Sequence, residues 1–98
     1  MTTHTTHDNP NLPIPAGATA GEWDSFCLTT GLLCRSLEWS RHDTDIVSVS
    51  VDGTQFSDGD MGRGVSLYGA DGKELTVDQA RALAAKLIEA ADVLDGLQ

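Results

Sequence analysis

Leu75-Thr76-Val77-Asp78-Gln79-Ala80-Arg81-Ala82-Leu83-Ala84-Ala85-Lys86-Leu87-Ile88-Glu89-Ala90-Ala91-Asp92-Val93-Leu94-Asp95 is the stretch on which the fold turns. Its apolar residues Ala80, Leu83, Ala84, Leu87, Ala91 and Leu94 recur at three- and four-residue steps, which predicts an amphipathic helix of about five turns. Thr76 is suited to the N-cap, and Gln79 three residues later completes a capping box. Asp78 meets the positive end of the helix dipole. Asp78, Arg81, Glu89 and Asp92 take the opposite face, and Gly96 is placed to end the helix. A helix this one-sided must bury its stripe, and the alternation of Ala with Leu suits a flat partner.

The residues upstream supply that partner. In Asp45–Val51, Val47, Val49 and Val51 alternate with Ser48 and Ser50, the pattern of a half-buried strand. Asp52-Gly53 reads as a bulge, with the strand resuming through Thr54-Gln55-Phe56 to a turn at Ser57-Asp58-Gly59-Asp60. Arg63–Tyr68 is the next strand, with Val65 and Leu67 toward the core, and Ala70-Asp71-Gly72-Lys73 turns the chain into the helix. Before them, Leu32–Arg41 sets Leu33, Leu37 and Trp39 against Ser36 and Glu38. Gly21–Thr30 forms the first strand, with Trp23, Phe26 and Leu28 for bulk and Thr30-Gly31 as a tight turn. The expected fold is α+β, a four-stranded antiparallel meander packed on one C-terminal amphipathic helix. Residues 1–20 read as a flexible tail, because the Thr/His repeat and Pro10, Pro13 and Pro15 bury too little to offset their ordering entropy. Residues 21–98 are the single domain. Leu12 and Ile14 are the tail residues able to lie along a sheet edge or a neighbouring subunit.

At 98 residues the chain has room for one thin core. Fifteen acidic against six basic residues give a formal charge of −9. That disfavours nucleic-acid backbones and anionic membrane surfaces. No apolar run is long enough to span a bilayer, and no basic-then-apolar leader opens the chain, so a cytoplasmic setting is expected.

The chemistry-bearing residues assemble into no familiar site. Cys27 and Cys34 would face each other across a hairpin turning at Thr30-Gly31, and could then join in an oxidising setting. In a cytosol they stay reduced, which is the expectation here. Their spacing fits no common zinc pattern. His4 and His7 lie in the tail without partner ligands. His42 stands near Asp43, Asp45, Ser48 and Ser50, but neither serine sits on a sharp nucleophile turn. Asp58-Gly59-Asp60 lacks the further acids of a calcium loop. Gly62, Arg63 and Gly64 make no dinucleotide fingerprint, and the glycines are expected to mark close approach of the Ala-rich helix. No catalytic, cofactor-binding or metal-binding residue is expected, and the protein is read as not an enzyme.

The segment Val51-Asp52-Gly53-Thr54-Gln55-Phe56-Ser57-Asp58-Gly59 and the helix motif Leu75-Thr76-x-x-Gln79-Ala80-Arg81-x-Leu83-Ala84-x-x-Leu87-x-x-Ala90-Ala91-Asp92 resemble those of small uncharacterised proteins from actinobacteria and their phages. The resemblance covers about residues 46–95. It implies a bacterial or phage source and carries no functional residues. The expected function is a small acidic protein that binds another protein, directed at a host protein if phage-encoded. The alternative is a nucleic-acid-binding regulator, for which Arg35, Arg41 and Arg63 would have to gather on the sheet. An open sheet edge and a short chain also lead us to expect a homodimer through the sheet, with the Pro10–Pro15 segment available to cross to the partner.

Overall fold

The computed structural model describes residues 10–24, 31–69 and 71–97. The elements run β1 (Thr19–Ala20), β2 (Cys34–Arg41), β3 (Ser48–Phe56), β4 (Met61–Tyr68) and α1 (Val77–Gly96). Each strand pairs antiparallel with the next, giving a four-stranded sheet in the order β1-β2-β3-β4. A single helix packs on it, so the meander-plus-helix architecture is the one the hydrophobic pattern predicts.

The two-residue period of β3 divides the sheet into unlike faces. Val49 and Val51 are fully buried beneath α1, where Ala90 closes on them with Leu83, Leu87, Val93, Leu94, Leu97 and Trp39 around the contact. The register sets Leu67 opposite Val49 and Val65 opposite Val51, so both belong to the same face. They are nevertheless 46% and 36% exposed, because β4 is the last strand and no described residue lies outside it. Leu87 stands at the middle of the apolar stripe, yet it is not the centre of the contact. Leu87 is half-buried, and Ala90 takes the central position.

Both ends of α1 are tied. Thr76 Oγ1 accepts from the Gln79 backbone N–H at 3.1 Å, and Gln79 Oε1 accepts from the Thr76 N–H at 2.9 Å, the anticipated capping box. Gly96 does not stop the helix. It is the last helical residue, and Leu97 caps with a right-handed φ of −85°. The C-terminal carbonyl is satisfied instead from the sheet, where Arg63 Nη2 donates to Leu97 O at 2.6 Å. A cation at this end also suits the dipole, since the last turn has no basic residue of its own.

The other half of the helix-side face is covered by chain expected to be tail. Residues 10–18 cross it, and Thr19–Ala20 then pair with Glu38 and Leu37. Three side chains hold this strap by its carbonyls. Arg35 Nη2 donates to Leu12 O at 3.1 Å, Gln55 Nε2 to Pro13 O at 3.3 Å, and Trp39 Nε1 to Ala16 O at 3.1 Å. Arg35 is buried, fixed by Gln55 Oε1 at 2.8 Å and stacked 4.4 Å from the Trp23 ring. The Pro10–Pro15 segment, expected to be free to cross to a partner, thus docks on its own sheet from Pro10 onward.

Other boundaries shift for physical reasons. The first strand was expected at Gly21–Thr30, but β1 is Thr19–Ala20, and of the described residues 21–24 only Asp24 bridges Cys34. Phe26, Leu28 and the Thr30 turn position lie outside the described residues. The bulge falls on β2, between Glu38 and Ser40, rather than at Asp52-Gly53. β3 runs straight through Gly53, where a Cβ would stand 2.0 Å from the Gly62 carbonyl oxygen. The close approach assigned to Gly62 and Gly64 belongs to Gly53, for nothing lies within 4 Å of a Cβ at either of them. Cys34, expected as a free thiol, is fully buried and disulfide-bonded. The chain's other cysteine, Cys27, lies outside the described residues.

Two outcomes follow from this packing. Ala90→Leu overfills the helix–sheet contact and lowers stability by about 1–3 kcal/mol, while Ala85→Leu on the outer face changes it by about 0.5 kcal/mol or less, as read from urea melts. Cys34→Ser lowers stability by about 2–4 kcal/mol, and the unreduced wild-type chain weighs two hydrogens less than the reduced one by intact mass.

Candidate functional site

Among the described residues, no other element covers the face of the sheet turned away from α1. Alternation along β2, β3 and β4 places Ser36, Glu38, Ser50, Asp52, Ser66 and Tyr68 there, in adjacent rows set by the register. The extra residue at the β2 bulge restores Arg41 to this face, opposite Ser50. β4 contributes no side chain at Gly62 or Gly64, which pair with Thr54 and Asp52. The result is a trough of about 980 Å³ across the open face, with Thr19, Glu38, Asp52, Gly64 and Tyr68 among its walls.

Glu38 and Asp52 are directly opposed partners across β2 and β3. Like charges so placed repel and destabilise a sheet. Each carboxylate is held in place by its own donors. Ser50 Oγ donates to Glu38 Oε2 at 3.1 Å, and Arg41 Nη1 pairs with the same oxygen at 3.4 Å. Ser66 Oγ donates to Asp52 Oδ1 at 2.6 Å, and the Tyr68 hydroxyl to Oδ2 at 2.5 Å. The hydrogen bond to Asp52 raises the Tyr68 pKa above its ordinary 10.0. What results is two fixed carboxylates at the bottom of an open, glycine-walled trough. Such an arrangement can accept hydrogen bonds from a cationic or multiply hydroxylated group.

A second polar cluster lies on the helix side. His42 was read beside Asp43, Asp45, Ser48 and Ser50, but the structure brings it to Ser40 and Glu89 instead. Its Nδ1 stands 3.2 Å from Glu89 Oε1 and its Nε2 2.8 Å from Ser40 Oγ. With Glu89 accepting, the neutral ring carries its proton on Nδ1 and takes the Ser40 hydroxyl on Nε2. The His42 contact, with Lys86 beside it, holds the Glu89 carboxyl below its usual range. The order serine–histidine–glutamate matches a hydrolytic relay, yet the trough is on the opposite side of the sheet. Here the series fastens α1 to the end of β2. Asp58 keeps the role of a turn residue, accepting from the Asp60 N–H at 2.9 Å.

The arginines are not gathered. Arg35 and Arg63 face the helix side and are engaged with Leu12 O and Leu97 O, while Arg41 alone reaches the open face, paired with Glu38 and Asp43. Among the described residues, no group of three or more His, Cys, Asp or Glu is placed to hold a metal ion, and no helix is long and apolar enough to cross a membrane. The residue that sequence reasoning missed is Asp52, taken for a bulge position. Its parity with Ser48 and Ser50 was the available signal. No protein family matches this sequence, and neither a curated protein nor a solved structure matches it.

Tyr68 is the only tyrosine, so its ionisation can be followed directly by phenolate absorbance. Because the folded pKa is raised, the Asp52–Tyr68 tie is intact below the ordinary phenol range and is lost as pH rises through the higher folded value. Asp52→Asn returns the titration toward 10.0, with the fold retained by circular dichroism.

Proposed function

We propose that this chain is a small non-catalytic binding protein whose open sheet face takes a cationic segment of a protein partner. The carrying observation is the opposed pair Glu38 and Asp52 in the trough. Two carboxylates set against each other cost stability, and a residue pattern that breaks a local rule without a packing gain points to function. An arriving Lys or Arg relieves that repulsion, and a guanidinium matches carboxylate geometry. Ser50, Ser66 and Tyr68 hold the acceptors in position beforehand, which lowers the ordering cost of binding. Gly62 and Gly64 have no packing reason to be glycine, and they leave the trough open for main chain to enter.

The nucleic-acid alternative draws little support, since two of its three arginines face away from the open surface and the chain carries a charge of −9. The disulfide at Cys34 favours an oxidising compartment over the cytoplasmic setting expected from composition. A phage or actinobacterial source, and a host protein as target, rest on the resemblance of residues 46–95 alone. Self-association through the sheet is part of the same proposal.

The test is a nuclear magnetic resonance titration with a short oligo-arginine peptide. Shifts are expected at Ser36, Glu38, Thr54, Gly62 and Gly64. Asp52→Asn weakens binding about tenfold or more, equivalent to about 1.4 kcal/mol. Gly64→Val fills the trough and weakens binding similarly, while stability stays level or rises by up to about 1 kcal/mol. Shifts dispersed over Asp78, Asp92 and Asp95, or binding indifferent to both substitutions, would refute the proposal.

A further inference from the structure

We infer that β4 and one flank of α1 form a self-complementary surface on which a second copy of this chain docks, β4 pairing antiparallel with its counterpart and the two helices packing over the join. This deepens the self-association part of the proposed function and is independent of the trough.

The first ground is the edge itself. β4 is the terminal strand for eight residues, and Met61–Tyr68 contains no Pro, Lys, Asp or Glu. Edges that must stay single usually carry such residues or a bulge, and β4 is paired to β3 without one. Its one charge, Arg63, is turned back to Leu97 O.

The second ground is a mismatch between the apolar face of α1 and the part of it that is buried. Leu83, Ala90 and Leu94 mark the line of contact with the sheet. At 3.6 residues per turn, Glu89 lies to one side of that line, and its contact with His42 shows that this side is over β2. Ala80, Ala84 and Ala91 lie to the other side, over β4, with Val77 and Ile88 further round. All five are exposed, Val77 by 66% and Ile88 by 63%. Val65 and Leu67 continue this apolar strip onto the strand.

The third ground decides the occupant. α1 packs on β3 and β4 about equally and more lightly on β2, so it lies over β3 on the side toward β4. Strands lie about 4.8 Å apart, so extending the sheet through β4 about a twofold axis sets the two helix axes roughly 10–14 Å apart. Across that gap the exposed Val77 and Ile88 of the two copies meet above the paired Val65 and Leu67. A lone peptide strand would satisfy the edge and leave the helix flank bare. A second copy covers both. Charge agrees, because Asp95, in line with Val77, is the one acid on this strip of a chain that has fifteen.

Sedimentation equilibrium of the full chain at micromolar concentrations is expected to give twice the chain mass. The β4 amides should gain hydrogen-exchange protection as concentration rises. Ile88→Glu and Leu67→Lys, both at exposed positions, should each weaken the dimer at least tenfold with unchanged circular dichroism. A dimer indifferent to both substitutions, with β4 amides unprotected, would overturn this surface and leave self-association standing. A monomeric mass across the range would overturn both.

Discussion

One helix has to cover a sheet wider than itself. Ala90 lets α1 settle onto Val49 and Val51, and the position of that contact decides what the rest of the chain must do. Sitting over β3 and β4, the helix leaves the β2 half of the face to be closed by something else. The chain closes it with extended backbone, residues 10–18, held by Arg35, Gln55 and Trp39. Polar side chains serve there because a strap without repeating structure has carbonyls that need donors. The small size of the domain makes each of these contacts a large share of the whole.

With the interior confined to one face, the other face is released from packing. Ser50 is the exception, fully buried although it belongs to the open side, and its hydroxyl is spent on Glu38. The remaining residues there stand on three adjacent paired strands, a rigid base that holds side chains more closely than a loop does. Opposed carboxylates can persist on such a base because neighbouring hydroxyls and Arg41 share their charge.

The helix, its cap and the three long strands were legible because each rests on a local period or a local hydrogen bond. Thr76 and Gln79 need only one another, and Val49 and Val51 need only alternate. The centre of the helix stripe was not legible in the same way. Periodicity averages every apolar residue on the wheel, including Ala80, Ala84 and Ala91, while burial depends on where the sheet ends. The strap was missed because its stabilisation is long-range. Proline content describes its entropy but not the donors waiting at Arg35 and Gln55. Asp52 was missed because Asp-Gly within a strand reads as a bulge, and only the unbroken pairing with β2 and β4 keeps it in the alternation. The disulfide state of Cys34 depends on compartment, which spacing does not encode.

The manner in which the strap is held has an evolutionary consequence. Leu12, Pro13 and Ala16 are gripped by main-chain oxygens that every amino acid possesses. Their side chains are therefore weakly constrained, and this stretch can drift in sequence while keeping its path. The constraint falls on the receiving side, where Arg35 must present a guanidinium, Gln55 a carboxamide and Trp39 an indole N–H. Divergent relatives would then be recognised by an Arg and a Gln at paired positions of two neighbouring strands, preceded by a segment whose own letters no longer align.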